Sequence, residues 1–246
     1  MLHLEIVNHC WRYPRLLTWQ LSSLCLYPPK NVSVTMTVCY CPDDKPVAWV
    51  LEYFAGNGQR RIPTSQLHPL FRWMPLSPAC LCRRAIGRNL VALQTQADWV
   101  WFTDTDYLFG PGCLDNLAAQ LTLLPAEINL VYPRRAIVTS HEAGDRLIAQ
   151  VTSPAIHPIV LTDFTETKKY NRAIGGIQIA RGDVCREKGY LDGNPKWQQP
   201  AAQWMRTHED RHFRASLGTA GKPLDVPQVY RIRHSLRGRF DVGVEL

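Results

Sequence analysis

Apolar positions along this 246-residue chain switch repeatedly between a period of two and a period near 3.6, which predicts strands alternating with helices. Residues 2–8 read as a first strand. Residues 14–26 read as a helix, with Leu17, Leu21 and Leu24 at helical spacing and Pro28-Pro29 as its stop. Val32, Val34, Met36 and Val38 alternate with Ser33, Thr35 and Thr37, the signature of a strand. Asp43-Asp44-Lys45-Pro46 then supplies a cap and an early proline for a helix whose stripe is Val47, Val50, Leu51 and Phe54. Residues 60–82 read as a loop region with one short strand. A helix follows over 83–96 with Ile86, Leu90 and Leu93 on one side, then a strand over 98–103. After Gly110-Pro111-Gly112 comes a helix carrying Leu114, Leu117, Ala118 and Leu121, and then a strand over 128–132. The second half is less regular: a polar stretch at 134–172 holding a hairpin or a mobile loop, a short strand at 174–179, helices at 182–189 and 209–217, and a last strand at 226–233. Such alternation indicates an α/β fold with a mainly parallel sheet covered on both faces.

Composition narrows the classes. A chain that is 46% hydrophobic and 20% charged is long enough for one large core. No window is apolar over the length of a membrane span, and Met1-Leu2-His3-Leu4-Glu5 lacks the basic start of a secretory signal, so a cytoplasmic protein is expected. The formal charge of +7, concentrated late at Arg231, Arg233, Arg237 and Arg239, favours anionic partners and is compatible with peripheral contact at a membrane surface. The eight cysteines include Cys39-x-Cys41 and Cys80-x-Cys82, a spacing tighter than structural zinc sites use, so buried thiols are expected. The sequon Asn31-Val32-Ser33 starts a strand and is discounted.

The chemistry concentrates in Trp99-Val100-Trp101-Phe102-Thr103-Asp104-Thr105-Asp106. An apolar strand ends in two carboxylates one residue apart, and the alternation of an extended strand would aim both at one face. Hard oxygen ligands of this kind suit Mg²⁺ or Mn²⁺, which usually share their shell with substrate phosphates. Strand carboxyl ends are also where open α/β sheets bind ligands. A solvated acidic turn capping the helix near Pro111 is the plainer reading. Trp99 and Trp101 lie inside the strand and are expected in the core.

The order of these parts resembles the GT-A nucleotide-sugar glycosyltransferases of the family 2 type. Tyr13-Pro14-Arg15-Leu16-Leu17 through Leu24 resembles the first βα unit of that family, and Val34 to Asp44 its second strand. Gly87-Arg88-Asn89 resembles its Ala-Arg-Asn helix start, Trp101 to Asp106 its Asp-x-Asp strand, Gly175-Gly176-x-Gln178 its acceptor-side glycine pair, and Glu209-Asp210 its Glu-Asp helix. The second strand departs by ending in Cys39-Tyr-Cys-Pro-Asp43-Asp44, which leaves either aspartate as the base contact. No membrane-embedded or processive module is seen, so a polymerising synthase is not expected.

The resemblance implies a GT-A fold with a smaller acceptor-side C-terminal part: a donor-binding half at 1–132 and an acceptor-binding half at 133–246 of one domain. It implies a metal-dependent, inverting transfer of sugar from a nucleotide-diphosphate donor, UDP foremost, to a hydroxyl on a glycan, lipid-linked glycan, protein or small molecule. Asp106 would hold Mn²⁺ or Mg²⁺. Asp104 would contact ribose or sugar, or the metal through water, and His234 would complete the metal shell, with His208 and His212 as substitutes. Asp44 and Arg88 would contact the donor. Arg231, Arg233 and Arg237 could pair with its phosphates, as bidentate guanidinium groups do. Asp210 would be the general base, with Glu209 holding a hydroxyl. Gly175, Gly176, Gln178 and Trp204 would face the acceptor, with Trp197 as another aromatic wall. The plainer readings stand beside these: a helix cap for Asp44, a helix surface charge for Arg88, a dipole-favoured acidic pair for Glu209-Asp210, a surface histidine for His234, and a basic strand edge for the arginines. A nucleotidyltransferase would need a glycine-rich phosphate loop that residues 8–15 lack. A basic nucleic-acid-binding protein would need a motif that does not appear, and no nucleic-acid partner is expected.

Overall fold

A computed structural model describes residues 1–58, 69–191, 193–204 and 208–236. Expectations that fall on residues 59–68, Arg237 and Arg239 lie outside these.

In chain order the elements are β1 (His3–His9), α1 (Pro14–Leu26), β2 (Ser33–Tyr40), α2 (Lys45–Tyr53), β3 (Leu70–Pro75), α3 (Pro78–Leu81), α4 (Arg84–Gln94), β4 (Trp99–Thr103), β5 (Tyr107–Phe109), α5 (Cys113–Leu121), β6 (Leu130–Pro133), β7 (Arg135–Thr139), α6 (His141–Gln150), β8 (Phe164–Lys169), β9 (Ile177–Arg181), α7 (Gly182–Lys188), α8 (Glu209–Ser216), β10 (Lys222–Leu224) and β11 (Val229–Arg231). Among the described residues, seven strands form a sheet in the order β10-β6-β9-β4-β1-β2-β3, and four form a second sheet in the order β5-β11-β7-β8. β1 runs parallel to β2 and β4, and β2 to β3. β9 runs antiparallel between β4 and β6, so a strand from the second half of the chain closes the sheet built by the first. The fold is α/β with a mainly parallel sheet flanked by helices, as the pattern predicts.

The predicted strands and helices of the first half form where the periodicity puts them. Asp44 caps α2, its carboxylate accepting from the Val47 amide at 3.4 Å, and the stripe Val47, Val50, Leu51 and Phe54 is buried. Trp99 and Trp101 are buried in the core. Every residue of α1 from Leu16 to Cys25 is buried, because the helix is covered by β5 and α2 and by α6 and the segment after it, where Trp19 donates to the Leu147 carbonyl and Ser22 to that of Ala155. Seven of the eight cysteines are buried and Cys80 is half-buried, and among the described residues no three metal-ligating side chains cluster. Burial pushes the Cys39 thiol up to about 12, so it is a packing group and not a nucleophile.

Two expectations are corrected, and two short strands are added. α4 turns Ala85, Arg88, Val91 and Ala92 inward and leaves Leu93 exposed, so the buried stripe is not the Ile86-Leu90-Leu93 one. The close approach of α4 to β2 selects that face: a Cβ on Gly87 would come within 2.9 Å of Cys39 Sγ. The polar stretch 134–172, expected to hold a hairpin or a mobile loop, instead holds two antiparallel strands, β7 and β8, with the helix α6 between them. β5 and β10 have three residues each and carry no periodic signal.

Candidate functional site

β4 ends at Thr103, and Asp104 to Asp106 form a turn that carries the chain from the large sheet into β5 of the small one. The two aspartates therefore reach the same cleft through a turn rather than through strand alternation. The turn rests on a buried amide: Gln20 Nε2 donates to the carbonyls of Asp104 and Tyr107 at 3.0 Å each, and Asn8 donates to Gln20 at 2.5 Å. The Ile232 amide donates to the Asp106 carbonyl at 2.8 Å, tying β11 to the same turn.

The two carboxylates meet different partners. Asp104 Oδ1 accepts from Arg84 Nη1 and from Arg88 Nη2, each at 3.0 Å. Arg88 has no exposed surface; it also donates to the Thr103 carbonyl and to the Tyr190 hydroxyl, so it meets the cleft through Asp104 and is not a helix surface charge. Asp106 is buried, and its Oδ2 accepts from Arg231 Nε at 2.8 Å. Its Oδ1 has no hydrogen-bond partner among the described residues, nor does the buried Nδ1 of His234. Burial holds the His234 imidazole below its ordinary range; Arg231 adds to that and Asp106 opposes it, so the ring is neutral at pH 7. Both groups line one cleft of about 870 Å³ with Tyr13, Asp104, His141, Lys168, Arg231 and Arg233. Arg233 is ion-paired with Glu166.

These unpaired atoms test whether a divalent cation fits. An anionic oxygen and a neutral imidazole nitrogen, each buried without a partner on a residue that lines one cleft, are ligands that Mn²⁺ or Mg²⁺ accepts. Among the described residues no three such groups cluster into a cage. Ions of this kind take their remaining ligands from water and substrate phosphate.

The second carboxylate pair opens α8. Glu209 has no exposed surface and accepts from Arg84 Nε at 2.9 Å. Asp210 is partly exposed, and its carboxylate accepts from Arg214 Nη1 at 3.0 Å. Gly175 and Gly176 form the turn before β9. A Cβ on Gly176 would sit 2.6 Å from the Tyr107 ring and 3.1 Å from Asp104 Oδ2, so glycine lets this backbone pass the aspartate. Gln178 is buried; its amide donates to the Asp210 carbonyl at 3.1 Å, and its oxygen accepts from the Tyr190 hydroxyl at 2.6 Å.

Other expected residues lie apart from the open cleft. Asp44 is buried, accepting from the Arg12 amide at 2.6 Å besides capping α2. Trp204 packs against His9, ring centroids 6.1 Å apart, in a narrow pocket shared with Trp11, Arg84 and Asp104. His212 Nε2 donates to the Leu191 carbonyl at 2.9 Å, and His208 precedes α8 as its N-cap. Sequence reading missed Arg84 and Tyr190. Arg84 lies one helical turn before Arg88 on the same face of α4, which is the one signal that could have found it.

Comparison with solved structures places this architecture. S. aureus TarS 1–349 in complex with UDP-GlcNAc superposes with a TM-score of 0.57 at 12% identity, covering 96% of this chain and 59% of that one. The same TarS fragment in complex with UDP gives 0.56 at 13% identity, covering 94% and 60%. Mannosyltransferase PcManGT from Pyrobaculum calidifontis, in complex with GDP-Man and Mn²⁺, gives 0.50 at 12%, covering 93% and 56%. The fold is that of glycosyltransferases. The chain spans about three fifths of the length of these structures. No family model matches the sequence, and no curated protein matches it.

Proposed function

We propose that this protein is an enzyme that transfers a sugar from a nucleoside-diphosphate donor, UDP-linked foremost, to a hydroxyl acceptor with inversion. The observation that carries this reading is the pair of buried, unpartnered atoms, Asp106 Oδ1 and His234 Nδ1, on residues that line the cleft with Asp104. A cleft of about 870 Å³ is of the size that encloses a substrate such as a nucleotide sugar. The solved structures with UDP, UDP-GlcNAc and GDP-Man support a nucleotide-sugar donor, and the one with Mn²⁺ supports a divalent ion.

Asp106 and His234 would hold Mn²⁺ or Mg²⁺, with Asp104 beside them. When bound, the ion neutralises the diphosphate and stabilises it as a leaving group. Arg231 and Arg233 stand along the same cleft to meet phosphate oxygens. Asp210 takes the proton from the acceptor hydroxyl as that oxygen bonds to the anomeric carbon. The bond from that carbon to the diphosphate oxygen breaks, and its electron pair leaves with the nucleoside diphosphate. Glu209, being enclosed, acts through Arg84. In this division residues 1–132 supply most donor contacts and 133–246 the acceptor side. The acceptor is a hydroxyl on a glycan, a lipid-linked glycan, a protein or a small molecule.

Calorimetric titration with UDP, GDP and CDP, each with Mn²⁺ and with EDTA, tests the reading. Mn²⁺-dependent binding of one diphosphate is the expected result; a folded protein that binds none of them would overturn it.

A further inference from the structure

Asp104 of the Asp-x-Asp turn and Glu209 of the helix start are 105 residues apart in sequence and are joined in space by a closed circuit of side chains and the Glu209–Asp210 backbone. Starting at Asp104 Oδ1, Arg84 Nη1 donates at 3.0 Å, and Arg84 Nε donates onward to Glu209 at 2.9 Å. The next residue, Asp210, accepts through its carbonyl from Gln178 at 3.1 Å. Gln178 accepts from the Tyr190 hydroxyl at 2.6 Å, that hydroxyl accepts from Arg88 Nη1 at 3.1 Å, and Arg88 Nη2 returns to Asp104 Oδ1 at 3.0 Å. Arg88, Gln178, Tyr190 and Glu209 have no exposed surface.

From this circuit we infer that Arg84 and Tyr190 are positioning residues that hold Asp210 at a fixed place relative to the donor carboxylate. The inference rests on the glycosyl-transfer reading above. Three physical arguments carry it. An enclosed carboxylate such as Glu209 is tolerated only when paired, and the Arg84 guanidinium beside it links its charge to Asp104. Arginine is suited to this because one planar fork can serve two carboxylates at once. The acceptor-side turn also lies against the circuit: a Cβ on Gly175 would come to ordinary contact distance, 3.5 Å from Arg88 Nη1, 3.6 Å from Arg84 Nη2 and 3.7 Å from Asp210 Cβ. Donor carboxylate, base and acceptor backbone thus share one rigid support, and small displacements of a base are expensive in rate.

The test uses Tyr190→Phe, Arg84→Met, Arg84→Lys and the double variant Arg84→Met/Glu209→Gln. Tyr190→Phe removes one hydroxyl and keeps the ring stacked on Phe213, which makes it the smallest change of the four. UDP binding with Mn²⁺ is measured calorimetrically, and kcat and KM are measured for hydrolysis of a panel of UDP-, GDP- and CDP-sugars with water as acceptor. Tyr190→Phe and Arg84→Met are expected to bind UDP within about threefold of wild type, with KM unchanged and kcat about 100-fold lower. Arg84→Lys, which keeps the charge and loses the fork, should fall between. The double variant should be no slower than Arg84→Met alone. Wild-type kcat in Tyr190→Phe and Arg84→Lys, or a loss confined to KM, would overturn the inference and leave the transfer reading standing. A wild-type protein that binds no diphosphate, or hydrolyses no donor in the panel, would overturn both.

Discussion

Asp106 and His234 carry the sharpest expectations at the scale of single residues. Asp106→Asn should abolish Mn²⁺-dependent UDP binding while leaving the fold intact, since Asn can still accept from Arg231. Asp210→Asn should leave UDP binding within a fewfold of wild type and cut turnover by about 10²–10⁴; near-normal turnover would remove it as the base. The pH dependence follows from the lowered His234 pKa. In the proposed site the neutral ring would be the ligand, and burial holds its folded pKa below the ordinary 6.5. The fall in Mn²⁺ affinity should therefore set in at a more acidic pH than an ordinary histidine would give, with His234→Ala removing that acid limb in titrations followed by calorimetry. The same depressed pKa makes stability from this group fully present above 6.5 and lost as pH falls from there through the folded value. The Asp-x-Asp pair was legible because an apolar run demands burial and two carboxylates at its end demand a reason. Arg84, Tyr190 and the enclosure of Glu209 were not, because their partners lie 12 to 125 residues away in the chain.

Among the elements, α6 and β11 decide where the basic wall of the cleft stands. α6 packs so closely on the chain after β11 that a Cβ on Gly144 would fall 1.7 Å from the Arg233 carbonyl oxygen. Gly144→Ala must push helix and strand apart. A cost of about 3 kcal/mol is expected from such overpacking, or roughly 6–12 °C in a thermal melt, with weaker UDP binding because Arg231 and His234 move. An unchanged melting temperature would show that the helix can slide freely. α6 escaped the sequence reading because its buried face is only Gly144, Leu147 and Ile148 in an otherwise polar stretch. The face of α4 was misread for a related reason. Sequence periodicity ranks large apolar residues first, whereas this helix gives its sheet-facing side to Ala85, Ala92 and a paired Arg88.

At the scale of the whole molecule, both halves of the chain build one cleft, so its occupant should stabilise the fold as a unit. Mn²⁺ with UDP at about 100 times its dissociation constant adds roughly 2.7 kcal/mol. For a chain of this size that is roughly 5–10 °C in the melting temperature. EDTA should abolish the shift, and a melt indifferent to both additions would count against the site.

Periodicity, proline stops and caps were enough to determine the parallel core, because strands and amphipathic helices answer to neighbours a few residues away. The same local logic placed Asp104 and Asp106 at a strand end and Asp210 at a helix start. Tertiary structure alone decided that β9 returns between β4 and β6, that the aspartates lie in a turn linking two sheets, and that Arg88, Gln178 and Glu209 are enclosed rather than open to the cleft. Those outcomes depend on which distant groups neutralise one another once water is excluded, and charge pairing of that kind leaves no period in a sequence.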